Sequence, residues 1–247
     1  MSSLSTAVIG STGLVGSHIL STLLATDLYK PVNTITRRAP KATSPLLNAL
    51  IETDTTKWST VLKDLNPTPA TVFSALGTTR AAAGSLAEQW KIDHDLNIEL
   101  AKAAKEKGSR TFVFISSGGT RGLIASRFPY GQMKNGVEDA IKDLDFEQAI
   151  ILKPGMILGH REQSRMGESQ LQTAVRVLGS ISTGLKNHLG QEAEVIGRAA
   201  VRAAQLADEG KAPSKYWILY ADEIIKLGHV DSTPASQAAP EDKVQAQ

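Results

Sequence analysis

A parallel sheet wound with helices on both faces is the fold class this sequence predicts, and three observations predict it. Short apolar runs alternate with stretches of helical spacing from Thr6 to Leu152. A glycine triplet, Gly10, Gly13 and Gly16, falls where the first run gives way to the first helix. Strand and helix signals in strict alternation mean βαβ units, which only a mostly parallel sheet accommodates.

Thr6–Ile9 reads as the first strand and Leu14–Ala25 as the helix after it. Val32–Thr36 is a second strand, Leu50–Thr53 a weak third and Thr71–Ala75 a stronger fourth. Ser85–Lys107 has the spacing of a long helix, and Gly108 ends it. Thr111–Ser116, rich in β-branched and aromatic residues, is a fifth strand. Tyr130–Leu144 is helical and Ala149–Leu152 is a sixth strand. Beyond Pro154 the pattern loosens into a polar stretch over Gly159–Gly167 and a helix over Glu168–Leu178. A second helix over Glu194–Ala207 and a late strand, Tyr216–Tyr220, follow. The expected organisation is one domain over residues 1–230, with its variable loops and helices within 118–129 and 155–215. Residues 231–247 have almost nothing to bury and read as a disordered tail.

Composition narrows the function classes. Hydrophobic residues make up 41% and charged residues 21% of the 247, which suits an ordinary globular domain. A net charge of +2 argues against a dedicated nucleic-acid binder. The chain has no cysteine, so disulfides, thiolate catalysis and zinc–thiolate sites are excluded, and a reducing compartment fits. No apolar stretch approaches the ~18 residues that span a bilayer, so membrane association is expected to be peripheral. Met1–Thr6 is too short for a signal peptide and lacks the Arg-rich pattern of a transit peptide.

Gly10-Ser11-Thr12-Gly13-Leu14-Val15-Gly16 is the phosphate loop this arrangement predicts. Glycine is needed there for the tight turn, for close approach of backbone to a pyrophosphate, and for helix–strand packing. The helix start then offers unpaired N–H groups and partial positive charge to phosphates. At the end of the second strand an NAD-binding chain usually carries a carboxylate for the ribose hydroxyls. Here the residues are Thr36-Arg37-Arg38. A guanidinium can hold a 2′-phosphate bidentately, so the expected cofactor is NADP, with Arg37 favoured over Arg38 for the phosphate. Asp54 is a weaker candidate for the adenine amino group, because a strand-end Asp is often a turn former.

Tyr130-Gly131-Gln132-Met133-Lys134 has the form Y-x-x-x-K. On a helix the two side chains share a face one turn apart. An ammonium beside a phenol favours the phenolate and brings proton transfer toward neutral pH. Ser117, at the end of the fifth strand, is placed to hydrogen-bond a substrate carbonyl, whereas Ser116 starts out facing the other way. Ser117, Tyr130 and Lys134 are therefore the candidate catalytic residues, with Lys134 also holding the cofactor ribose. The five histidines, His18, His94, His160, His188 and His229, make no metal-ligand pair, and no metal is expected. Trp58, Trp90 and Trp217 read as packing residues.

With GSTGLVG at Gly10–Gly16, TRR at Thr36–Arg38, ALGTTR at Ala75–Arg80, ISSGG at Ile115–Gly119 and YGQMK at Tyr130–Lys134, the chain resembles the extended or atypical short-chain dehydrogenase/reductases. More narrowly it resembles their Tat-interacting-protein-like branch, and within it the fungal found-in-mitochondrial-proteome proteins. LKPGMILGHREQSRMGE at Leu152–Glu168 is the most distinctive stretch. The resemblance implies an NADP-binding Rossmann domain attached peripherally to the cytosolic face of the mitochondrial outer membrane, with a cytoplasmic location as the alternative. It also implies that Leu76-Gly77-Thr78-Thr79 lines the cofactor cleft and that Pro154-Gly155 passes the nicotinamide. Many relatives carry an Asn on the helix after the fourth strand as part of a proton relay. This chain has Asp93 at that place, with Asn97 nearby but out of register.

Three functions remain open on the sequence. The first is an NADPH-dependent oxidoreductase on a small carbonyl or alcohol substrate, favoured by the Ser117, Tyr130 and Lys134 set. The second is a non-enzymatic NADPH-binding regulator or scaffold at the mitochondrial outer membrane. The third is an epimerase or dehydratase that recycles its cofactor. An oligomer is also open, with the helices around Glu88–Lys107 and Gly136–Leu144 offering a dimer face.

Overall fold

A computed structural model describes residues 4–159 and 190–229. The helix expected over Glu168–Leu178, most of the Gly159–Gly167 stretch and the 231–247 tail lie outside the described residues.

Seven parallel strands form the central sheet: β1 (Leu4–Ile9), β2 (Tyr29–Thr36), β3 (Leu47–Ile51), β4 (Thr71–Ser74), β5 (Thr111–Ile115), β6 (Gln148–Lys153) and, after a short separate pair, β9 (Tyr216–Tyr220). Their spatial order is β3-β2-β1-β4-β5-β6-β9. The order reverses between β1 and β4, which is the Rossmann arrangement, with its ligand crevice beyond the carboxyl ends of those two strands. The short pair is β7 (Met156–Leu158) and β8 (Gly190–Glu192), joined in parallel.

Side-chain alternation along each strand divides the core into two layers. Phe73, Val113 and Ile150 point to one face and meet α1 (Leu14–Leu24) and α7 (Ala193–Asp208), with α8 (Ala221–His229) beyond. Val72, Phe112, Phe114 and Ile151 point to the other face and meet α2 (Trp58–Asp64), α5 (Leu96–Lys107) and α6 (Pro129–Asp143). A single turn, α3 (Arg80–Ala83), precedes this second layer's middle helix.

Two expectations are corrected. The third strand runs over Leu47–Ile51 rather than Leu50–Thr53, because its register is set by pairing Val32 with Leu47 and Thr36 with Ile51. The helix expected over Ser85–Lys107 is interrupted: α4 (Leu86–Trp90) passes through a π-helical turn at Lys91–Asp95 before α5. The Asn97 amide donates to the carbonyls of Ile92 and Asp93 at 3.1 and 3.2 Å, occupying acceptors in that wide turn.

Candidate active site

The crevice opens where β1 and β4 end. Gly10 has φ +82° and lies so close to β4 that a Cβ there would meet the Ala75 carbonyl at 2.8 Å. A Cβ on Gly16 would collide with the Gly10 carbonyl oxygen. These two glycines are thus required by chain packing alone. Gly13 is exposed, and as N-cap it gives α1 no side-chain cap; the first turn also lacks an acidic residue. The leading amides of α1 therefore have no acceptor among the described residues. The Ser11 hydroxyl is buried beside them with no hydrogen-bond partner among the described residues. A buried unpartnered hydroxyl is costly unless a ligand or water satisfies it. Both features suit a bound phosphate.

A groove of about 730 Å³ runs from this loop, lined by Ser11, Thr12, Gly13 and Leu14, to the turn after β2, lined by Arg38, Ala39, Pro40 and Lys41. Arg38, not the favoured Arg37, lines the groove, and Lys41 joins it. Asp54 accepts from the Thr56 amide at 3.0 Å and from its hydroxyl at 2.6 Å, capping the 3-10 turn Thr55–Lys57. Those hydrogen bonds hold its carboxyl below the ordinary carboxylate range. Asp54 therefore has the turn-forming role, and one carboxylate oxygen is committed to it.

On the other side of β4, the Leu76-Gly77-Thr78 loop is held by Asp93. Its carboxylate accepts from the Thr78 amide at 2.6 Å, and the Gln89 amide donates to its second oxygen at 3.4 Å. Asn97 instead accepts from the Ser74 hydroxyl at 2.6 Å. A Cβ placed on Gly77 would have the Asp93 carboxylate at 3.8 Å and the Lys134 ammonium at 4.0 Å. The two charged groups thus border one hollow floored by a glycine.

Tyr130 sits in the first turn of α6, which starts at Pro129 with no side-chain cap. Tyr130 is 46% exposed. Lys134, one turn along, is buried; its ammonium donates to the Ile115 carbonyl at 3.3 Å and lies 4.8 Å from the Phe114 ring centre. Ser117 is partly exposed at the end of β5. Ser116 is buried and donates to Glu138. Pro154 accepts from the Gly118 amide at 2.6 Å, and Gly155 donates to the Gln191 side chain at 2.6 Å. The structure thus brings Ser117, Tyr130, Lys134 and Pro154-Gly155 to one end of the sheet and the phosphate loop and Arg38 to the other side of the crevice.

Several residues at the site carried little sequence signal. Glu138 extends the Tyr130–Lys134 spacing by one more turn and is fully buried. Lys153 ends an otherwise apolar run and is also buried. Gln191 and Lys41 lie in stretches with no motif. Among the described residues no group of His, Asp or Glu could hold a metal ion. His160, His188 and the HREQSR stretch lie outside the described residues.

The model of the NAD dependent epimerase/dehydratase family matches residues 6–178. The mitochondrial protein FMP52 of Chaetomium globosum is 57% identical over 92% of this chain and 98% of its own length. Its counterpart fmp-52 of Neurospora crassa is 58% identical over 91% of this chain and 95% of its own. Among solved structures, MoeE5 in complex with UDP-glucose and NAD superposes with a TM-score of 0.63 at 17% identity, over 91% of this chain and 80% of that one. The UDP-Glc/GlcNAc 4-epimerase of Campylobacter jejuni gives 0.64 at 13% identity, over 90% and 82%. At such identities the two structures show the shared fold.

Proposed function

Because this chain belongs to the NAD dependent epimerase/dehydratase family, we propose that it is an NADP(H)-dependent oxidoreductase acting on a small carbonyl or alcohol substrate. The observation that carries this reading is the buried Lys134 ammonium one helical turn from the half-exposed Tyr130, at the strand end that presents Ser117. A cation taken out of water is costly, and one held a helical turn from a tyrosine suits proton transfer.

The chain's residues divide the cofactor between them. Ser11, the α1 amides and Gly13 suit the pyrophosphate, Arg38 with Arg37 suits a 2′-phosphate, and Leu76-Gly77-Thr78 with Pro154-Gly155 would border the nicotinamide half. When bound, the cofactor supplies or accepts a hydride. For reduction, Ser117 donates a hydrogen bond to the substrate carbonyl oxygen and Tyr130 delivers its phenolic proton to that oxygen. Lys134 stays charged, steadies the phenolate left behind and holds the ribose.

A positioned general acid contributes about 10²–10⁴-fold. Tyr130→Phe should therefore lower NADPH oxidation against a responsive carbonyl compound at least about 100-fold, with NADPH affinity unchanged within about twofold. A wild type that binds NADPH but oxidises it with no carbonyl compound refutes the oxidoreductase reading. The family match favours a further reading, redox-neutral epimerase or dehydratase chemistry, in which substrate changes without net NADPH consumption.

The Tat-interacting-protein-like branch and a peripheral place on the cytosolic face of the mitochondrial outer membrane belong to the same proposal. They rest on the sequence resemblance and on fungal relatives named mitochondrial. No helix among the described residues is long and apolar enough to cross a membrane. On isolated mitochondria the protein should be released by alkaline carbonate and digested by added protease; resistance to both refutes that placement.

A further inference from the structure

Glu138 is the most heavily committed charged group in the described molecule, and the chemistry above makes no use of it. Its side chain is 0% exposed. Lys153 donates to its two oxygens at 2.7 and 2.8 Å, Arg121 to one at 3.0 Å, and Ser116 to the other at 2.5 Å. Lys153 also reaches the Thr120 hydroxyl at 3.4 Å, and Arg121 continues to Asp139 at 2.5 Å. One carboxylate thereby joins four segments: the end of β5, the end of β6, the loop over the site and α6.

Stability alone does not account for such a group. A buried ion pair costs heavily to desolvate, and apolar residues of similar volume often serve as well. What the pair does do is geometric. Ser116 leads directly to Ser117, and Lys153 leads directly to Pro154-Gly155. The backbone between them is already close: Ser116 donates to the Leu152 carbonyl at 2.8 Å and Gly118 to that of Pro154 at 2.6 Å. Glu138 holds the Ser116 hydroxyl, and Ser117 is the next residue along the chain.

We propose that Glu138, through its shared contact with Ser116 and Lys153, is the positioning residue that fixes Ser117 relative to the Pro154-Gly155 wall. The inference rests on the oxidoreductase reading of that site. Lys134 and Glu138 follow Tyr130 at successive turns of α6, so one helix face carries acid, cation and positioning carboxylate.

The test pairs Glu138→Met with Lys153→Met, which removes both charges without orphaning either, and runs Ser116→Ala beside it. Melting temperature, NADPH affinity, kcat and KM are measured, together with hydrogen exchange of the Ser116 and Gly118 amides in the cofactor-free protein. The paired variant is expected to fold and to bind NADPH within about twofold of wild type. Its kcat should fall roughly 10- to 100-fold with little change in KM, since misplacement on the scale of 1 Å can cost that much. Both amides should exchange faster, and Ser116→Ala should do the same more weakly. Unchanged exchange at both amides in Ser116→Ala overturns the proposal even if the paired variant does not fold. A folded paired variant with wild-type kcat overturns it as well. Faster exchange in variants of a wild type that oxidises no NADPH refutes the oxidoreductase reading and leaves the positioning role standing.

Discussion

Arg38→Ala should convert an NADPH-preferring protein into one that scarcely distinguishes NADPH from NADH. The groove from the phosphate loop passes Arg38 and Lys41 and does not include Arg37. Arg38 is exposed, so its attraction for a 2′-phosphate is partly screened. A hydrogen bond to a charged group contributes about 1.5–3 kcal/mol, which corresponds to roughly a 10- to 150-fold change in affinity. NADPH should weaken by that factor in Arg38→Ala and by less than about threefold in Arg37→Ala, with NADH unaffected in both. Calorimetric titration of each variant with both dinucleotides reads this directly. The reasoning fails if Arg37→Ala carries the loss, if both dinucleotides weaken together, or if the wild type prefers NADH. The first result restores the expectation drawn from the strand end alone. The second makes Arg38 a contact for the adenosine that both cofactors share.

Asp93→Ala removes the acceptor of the Thr78 amide, leaving a part-buried donor unpaired. It should lower stability by about 1–3 kcal/mol and weaken NADPH, whereas Asp93→Asn should keep most of both; thermal denaturation and titration compare the two. Asp208, half-buried at the end of α7 beside the amino-terminal ends of β2 and β5, accepts from the Tyr29 hydroxyl at 2.9 Å. Burial holds its carboxyl above the ordinary range. The folded state therefore binds that proton more readily than the unfolded state, so the group favours folding at low pH and loses that contribution as pH rises through the raised value. Asp208→Asn should thus melt at or above wild type at neutral pH, with the advantage shrinking toward pH ~4. A lower melting temperature at neutral pH would mean that the Arg110 ion pair at 3.7 Å outweighs burial.

Strands β1, β2, β4, β5 and β6 were legible because each is an interior strand paired on both sides and mostly buried. The edge strand β3 was harder. Most of its side chains are exposed, so composition left its bounds open and pairing to β2 decided them. β7 and β8 have three residues each and pair across a long intervening stretch, which no local pattern announces. The π-helical turn keeps helical spacing on either side, so periodicity could not mark the extra residue that turns Asp93 toward Thr78. In the site, Ser117, Tyr130 and Lys134 were readable because their spacing is local. Glu138 and Lys153 were not: on paper one is a helix-surface acid and the other a strand-end base. Their partnership exists because α6 lies across the ends of β5 and β6. Arg37 and Arg38 were legible as a pair, but the side of the turn facing the groove depends on the path to Lys41.

The placement of buried charge bears on whether this fold is a working site or a binding platform. Among the described residues the buried charged side chains are Asp93, Lys134, Glu138 and Lys153. Each stands in or beside the crevice end bounded by β4, β5 and β6, and none lies near the phosphate loop, where Arg38 and Lys41 are exposed. A protein that only holds a dinucleotide needs the adenosine side of the crevice, with its open amides and cations. It gains nothing from desolvating four charges at the opposite end of the crevice, where each costs several kcal/mol before pairing offsets it. Electrostatics fixed in a dry setting act most strongly on charge that develops during reaction. The location of these groups therefore supports chemistry at Tyr130 over a scaffold role. It also sharpens what the Tyr130→Phe comparison means. If the wild type were inert, the Glu138–Lys153 pair would stand as a cost without a function, and replacing both with apolar residues should raise stability with NADPH affinity intact.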